Sequence, residues 1–437
     1  MAPVAPLTLA ITNARLLSPG DPERRVNVLV EGGKIGAVLE EDERPPAGAE
    51  LLDAGGGYVA PGFIDVHVHG GAGADFMDAT PEAVRTVCRF HATGGTTGLL
   101  ATTAAAPEEE LRRVLDVIAD VQREGSGDVA QPHGGAGADA GVRVRSQHGG
   151  GAAILGVHME GPYFAPSKCG CHLPDQVRPP RADEYEPLLD AHPGLVRWMT
   201  LAPEVDGAFD LIRALRARDA VPAAGHTEAD EALLLEAIDA GLRHATHLYN
   251  AMSTISKRGP YRIPGLVETA LASDALTAEV IADGFHLAPA LLKIAVRAKR
   301  PDHVLLVTDA MRGAGMPDGT YTFGPLNGSL AIVENGVART PDNTGFASST
   351  ARANQLVRNM VRLADCTLLD AVQMASTTPA EVLGLGDRKG RVRDGYDADL
   401  VVLDEELNVK ATIVGGEVVY RANGAATSAS GAAAAHA

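Results

Sequence analysis

Six short apolar runs in this sequence carry, at or near their ends, side chains that can hold a metal ion or move a proton. FIDVHVH ends on His67 and His69, AILGVHMEG carries Glu160, VPAAGHT carries His226, HATHLYNA carries His247, AEVIADGFH ends on His286 and HVLLVTDA carries Asp309. His67 and His69 are two apart, so on a strand both rings leave the same face and can reach one ion. Glu160 follows an apolar run and precedes Gly161-Pro162, where a carboxylate is costly to bury unless a metal or a base pairs it. His158 shares its face and reads as a packing residue rather than a ligand. His226 and His247 follow small residues, which let an imidazole approach a crowded centre. Each residue alone also fits a plainer role, a satisfied core imidazole or a helix cap; together the six make that reading a poor one. Neutral imidazoles and a carboxylate with an open position suit Zn²⁺ or Fe²⁺, which lowers the pKa of a bound water to about 7. The chemistry would be attack of water on a carbonyl carbon. Amide hydrolysis also needs a proton delivered to the leaving nitrogen, and Asp309 is the best-placed group to take and return it. One ion or two remain open: His67 and His69 could hold one and His226 and His247 another, with Glu160 between them.

These residues can meet only if the runs are strands that converge. Eight strand-like runs occur, at 63–69, 96–103, 153–161, 195–204, 221–227, 244–251, 278–286 and 303–310. Most are separated by helical patterns such as PEAVRTVCRFHATG and AFDLIRALRARDA, with apolar residues at spacings of three and four. A parallel (β/α)8 TIM-like barrel is the simplest closed solution, and it gathers strand ends on one face. An open doubly wound sheet is the competitor. Residues 124–152 interrupt the alternation with the composition of a flexible insertion, and its His133 and His148 have no ligand spacing. Short β-rich segments at 7–59 and again at 395–422 predict a small β domain built from both chain ends. The expected partition is 1–60 and 391–422 for that domain and 61–390 for the barrel, with 423–437 a disordered tail.

A net charge of −18 argues against nucleic acid or an anionic membrane as the main partner. Four cysteines in 437 residues do not make a disulfide framework. With no run of 18 apolar residues and no leader-like start, the expectation is a cytoplasmic protein.

PGFIDVHVHG, the strand-end His and Asp residues and the closing GYDADLVVLD resemble the amidohydrolase superfamily. Within it, HMEGPYF, AGHTEAD, ATHLYNAM, IADGFH and VTDAMRGAG are similar to the N-acetylglucosamine-6-phosphate deacetylase family, over about residues 7–422. The resemblance implies a metal-dependent barrel with a small β-sandwich from both termini. It implies Glu160, His226 and His247 as main metal ligands, His67 and His69 as a second position kept by some members, and Asp309 as catalytic acid/base. Asn250, Ala251 and His286 would contact the sugar phosphate. His172, in the run Lys168-Cys169-Gly170-Cys171-His172, would polarise the amide carbonyl, with one residue more than the family's motif. The implied reaction releases acetate from N-acetylglucosamine 6-phosphate, with zinc favoured over iron, in a homodimer. Two departures stand out. The family's phosphate-binding Arg-Glu-Pro-Gly becomes Ser256-Lys257-Arg258-Gly259-Pro260-Tyr261-Arg262-Ile263-Pro264-Gly265, where spacing from Asn250 favours Arg258 and the flanking Pro-Gly favours Arg262. Cys169 and Cys171 are the other, read as packing residues ahead of reactive thiols. The alternatives are an amidohydrolase for another N-acyl amino sugar or a cyclic amide, and a catalytically silent barrel serving as a scaffold.

Overall fold

The computed structural model describes residues 8–125 and 150–422. His133, His148 and the 423–437 tail lie outside the described residues, as do the expectations attached to them.

Each of the eight apolar runs forms a strand: Phe63–Val68, Thr96–Thr103, Ala153–Glu160, Val196–Leu201, Val221–Ala224, His244–Ala245, Thr277–Val280 and Val304–Leu306. They pair in sequence order, every ladder parallel. That order decides against a doubly wound sheet, which would reverse direction at a switch point. The ends of the eighth and first strands meet through hydrogen bonds outside any ladder. Asp309 N donates to His67 O at 2.8 Å, and His69 N and Gly70 N both donate to Ala310 O. The Thr308 hydroxyl donates to Asp65 Oδ2 at 2.5 Å and the Thr308 amide to Asp65 Oδ1 at 3.3 Å. The result is a nearly closed (β/α)8 barrel.

Local sequence starts the surrounding helices where they are needed. Thr80 caps Pro81–Ala92, accepting from Ala83 N, with Pro81 in the first turn. Asp230 caps Glu231–Ala240 in the same way. The helices turn apolar stripes inward, as with Leu211, Ile212 and Leu215 of Ala208–Arg216. A smaller cluster draws Ile64, Leu100, Trp198, Val221, Ile281 and Leu305 from around the ring, as a packed barrel interior does.

After the eighth strand the chain makes a three-stranded antiparallel sheet, Gly319–Thr322, Leu330–Glu334 and Val337–Arg339. The sequence reading missed it. One signal was there: the hairpin dipeptide Asn335-Gly336, which joins Leu330–Glu334 to Val337–Arg339.

The chain ends build a second sheet of eight strands. Tyr58–Pro61 joins its halves, pairing parallel with Leu9–Leu16 and antiparallel with Leu400–Leu403. Ile11, Val28 and Val59 share one core with Val402 and Ile413. The turn at Gly33 meets the turn at Gly415, where an added Cβ would lie 3.1 Å from a carbonyl oxygen, so the sheet bends back on itself around that core.

Candidate active site

Five imidazoles converge on the two oxygens of Glu160 at the end of the third strand. Oε1 lies 3.3 Å from His67 Nε2 and 3.2 Å from both His226 Nε2 and His247 Nε2. Oε2 lies 3.2 Å from His69 Nε2 and 3.0 Å from His172 Nε2. Asp309 Oδ1 stands 3.5 Å from His67 Nε2 and 3.4 Å from His69 Nε2. All seven side chains are buried. Three of them sit on backbone in the left-handed region, with φ of 51° at His226, 29° at His247 and 47° at Asp309. A non-glycine residue adopts that region at a cost, and such residues cluster where a side chain must be aimed. Here the strand turns abruptly at its end and throws the side chain into the barrel mouth.

Outer partners fix the rings. His226 Nδ1 lies 2.7 Å from Lys168 O, so that nitrogen carries the proton and Nε2 is free to bind a metal. Phe164 stacks on the same ring with centroids 4.2 Å apart. His67 Nδ1 lies 2.9 Å from Glu279 Oε2, with the same consequence. His172 is set the opposite way. Its Nδ1 accepts from Ala105 N at 3.1 Å, so in the neutral ring the proton is on Nε2, facing Glu160 and the cavity. His158 is engaged at both nitrogens, by Val66 O and Thr200 Oγ1, and packs beneath the cluster.

The charges respond to this crowding. Burial works to lower the His69 pKa, but hydrogen bonds with Asp309 and Glu160 outweigh it and raise it to about 9. Burial opposes protonation of His67 too, yet Glu160, Glu279 and Asp309 hold it well above the usual imidazole range. For Asp309, burial is overcome by the His67 and His69 charges, which bring it down to about 2. His226 goes the other way, lowered by burial to about 4 despite Glu160.

The cluster forms the floor of a cavity of about 360 Å³. His69, Glu160, His172, His226, His247 and Asp309 line it, and Asn250, Ala251 and His286 stand around them. His286 is held by Asp283 Oδ2 at 2.8 Å from its Nδ1 and packs on Phe346 at 4.3 Å between centroids. Arg258 and Arg262 do not line this cavity. They lie on the exposed hairpin Ser256–Arg258 and Tyr261–Ile263, Arg258 reaching Asp230 at 3.2 Å. In the hairpin register Arg262 sits opposite Lys257, and Arg258 opposite Tyr261, so the two arginines project from opposite faces. Cys171 lines the cavity, where burial, aided by Asp309 and Glu160, keeps its thiol well above the ordinary range and therefore protonated.

Sequence reasoning missed several lining residues. Ser348 donates to Asp309 Oδ1 at 2.9 Å, and Phe323 packs its ring edge-on against His69 and His172. Both come from the segment after the eighth strand, for which no motif was read. Lys168, which entered the reading only as part of the His172 run, is the one Lys or Arg among the described lining residues.

The donor set fits divalent metal. His226 Nε2 and His247 Nε2 are 3.0 Å apart, and His67 Nε2 and His69 Nε2 are 3.3 Å apart. Buried imidazole nitrogens facing one another need a proton or a cation between them, and imidazoles with carboxylates are the donors Zn²⁺ or Fe²⁺ takes. Ligand atoms of His67, His69 and Asp309 group together, as do those of Glu160, His172 and His226.

The sequence profile of the Amidohydrolase family matches residues 58–419. The chain belongs to the amidohydrolase family. This amidohydrolase is 34% identical over 413 residues to an N-acetylglucosamine-6-phosphate deacetylase of Bacillus subtilis, covering 94% of this chain and 97% of the relative. It is 35% identical to an N-acetylgalactosamine-6-phosphate deacetylase of Escherichia coli O157:H7, covering 85% of this chain and 88% of that protein. Among solved structures, a mutant N-acetyl-D-glucosamine-6-phosphate deacetylase of Mycobacterium smegmatis in complex with N-acetyl-D-glucosamine-6-phosphate superposes with a TM-score of 0.80. It is 34% identical and covers 95% of this chain and all of its own.

Proposed function

We propose that this amidohydrolase hydrolyses the N-acetyl amide of N-acetylglucosamine 6-phosphate to glucosamine 6-phosphate and acetate. The observation that carries the reading is the convergence of five imidazoles on Glu160, with Asp309 beside them, at the floor of a single cavity. Glu160, His226 and His247 would hold one divalent ion, proposed as zinc, and His67 and His69 would hold a second, beside Asp309. Bound there, such an ion supplies a water made nucleophilic near neutral pH. The chain's own residues do the rest. Asp309 is ionised at neutral pH and steadied by Ser348, so it can take a proton from water and return it to the leaving nitrogen. His172, with its proton on Nε2, donates to the amide carbonyl oxygen as charge develops there. Asn250, Ala251 and His286 orient the sugar phosphate across the cavity mouth.

Lys168 is too little positive charge for a phosphate on a chain of net charge −18. Arg258, exposed on the hairpin face that also bares Tyr261 at 71% exposure, or Arg262 on the opposite face, suits delivery to the cavity of a second copy, so a homodimer is part of the proposal. A cytoplasmic location fits a substrate whose phosphate bars it from crossing membranes unaided; among the described residues no helix is long and apolar enough to span one.

Acetate release should fall at least a thousandfold in Asp309→Asn while bound metal stays at the wild-type level. Turnover retained by that variant would remove the mechanism. The relative acting on N-acetylgalactosamine 6-phosphate supports a second reading, the epimeric sugar, and rates on both sugars with and without phosphate separate the two.

A further inference from the structure

Glu279 lies on the seventh strand, 0% exposed, beneath the ligand cluster and outside the cavity lining. Neither the motifs nor the proposed mechanism uses it. Its Oε2 takes two hydrogen bonds, from His67 Nδ1 at 2.9 Å and from the His247 backbone amide at 3.0 Å. Its other oxygen faces His244 Nε2 at 3.3 Å. A fully buried carboxylate without Lys or Arg is costly, so it holds its few donors tightly. Holding His67 by Nδ1 forces the proton onto that nitrogen and turns the Nε2 lone pair toward His69 and Asp309. Holding the His247 amide pins the left-handed turn that aims the His247 ring from the sixth strand. One carboxylate thereby couples a ligand of one ion position to the backbone of the other. The two holds differ in kind. His67 depends on Glu279 for ring orientation and basicity, whereas at His247 only the amide is touched, and the backbone bond of Leu248 N to Glu279 O supports that turn independently.

We propose that Glu279 is a positioning residue that sustains the ion position built on His67 and His69, while the position built on His226 and His247 survives without it. The inference rests on the reading of the cluster as a site for divalent ions. The test is zinc binding to the full chain, by competition titration with a chromophoric chelator and by metal analysis after dialysis. Wild-type protein should bind two ions per chain. Glu279→Gln removes the charge and lets the amide turn either way toward His67; one dissociation constant should weaken 10- to 100-fold, the size expected for losing an outer partner of a ligand. The other constant should stay within about threefold. Glu279→Asp keeps the charge at shorter reach and should fall between the two, and it also serves if the Gln variant fails to fold. Melting of the metal-free proteins, followed by circular dichroism, identifies folded variants.

Folded variants that bind both ions as tightly as wild type overturn the proposal, as does equal weakening of both ions. A wild-type stoichiometry of one overturns it too. Wild-type protein that binds no ion overturns instead the reading of the cluster on which it rests.

Discussion

His67 and His69 hold an extra proton in the metal-free protein because Glu160 and Asp309, joined at His67 by Glu279, outweigh their burial, and a metal must displace it. His69, raised to about 9, is protonated at pH 7 and loses that proton as pH climbs through 9. Binding at the His67–His69 position should therefore tighten from pH 7 toward 9, by about tenfold per unit for each proton displaced. His226, lowered to about 4, brings no proton to expel, so its own contribution does not change over that range. Competition titrations at pH 7, 8 and 9 check this, and affinity that stays flat would show the two rings are not charged. None of this was legible from the residue types. HxH on a strand suggested a metal, but the sign of the shift depends on which carboxylates face the rings, and one of those facing His67, Glu279 inside the run AEVIADGFH, passed unremarked.

At the scale of elements, strand ends and loops share the work. The loop 166–172 lays Gly170 against the His226 ring: φ is +61° and an added Cβ would lie 3.2 Å from Cε1. Gly170→Ala combines a strained backbone with a push on a ligand. It should weaken metal binding and raise KM together, with melting of the metal-free protein little changed; unchanged affinity in that variant would show that the loop yields. The first and eighth strands give a second case. Asp65 accepts from the Thr308 amide and hydroxyl and from His67 N, and burial, only partly offset by the Thr308 hydroxyl, pushes its pKa up to about 7. Asp65→Ala leaves buried donors unpaired and should cost about 3 kcal/mol, at about 1–3 for each orphaned group. The denaturant midpoint reads this directly. Asp65→Asn, close to the half-neutral native group in shape, should cost less.

For the whole molecule, the open matter is how a chain of net charge −18 holds an anion. If Arg258 and Arg262 serve a neighbouring cavity, two inactive variants should repair one another. An Asp309→Asn chain mixed with an Arg258→Ala/Arg262→Ala chain should recover about a quarter of wild-type activity once subunits exchange at random, because half the dimers are mixed and each has one intact site. No recovery in a mixture shown to exchange would show that the arginines do not serve the neighbour's cavity.

The sequence by itself determined the eight strands, their parallel barrel and the small β domain drawn from both ends, and it picked out most of the side chains that converge on Glu160. Periodicity and residue type are local properties, and a ligand at the end of an apolar run is visible without knowing what faces it. Only the tertiary structure decided which groups meet. It closed the ring through Asp65 and Thr308, set Ser348 on Asp309 and Phe323 on His172, put Glu279 behind His67, and left Arg258 and Arg262 outside the cavity. Those pairings join residues far apart in the chain, up to 243 positions for Asp65 and Thr308. Such contacts are fixed by packing across the barrel, and no local spacing encodes them.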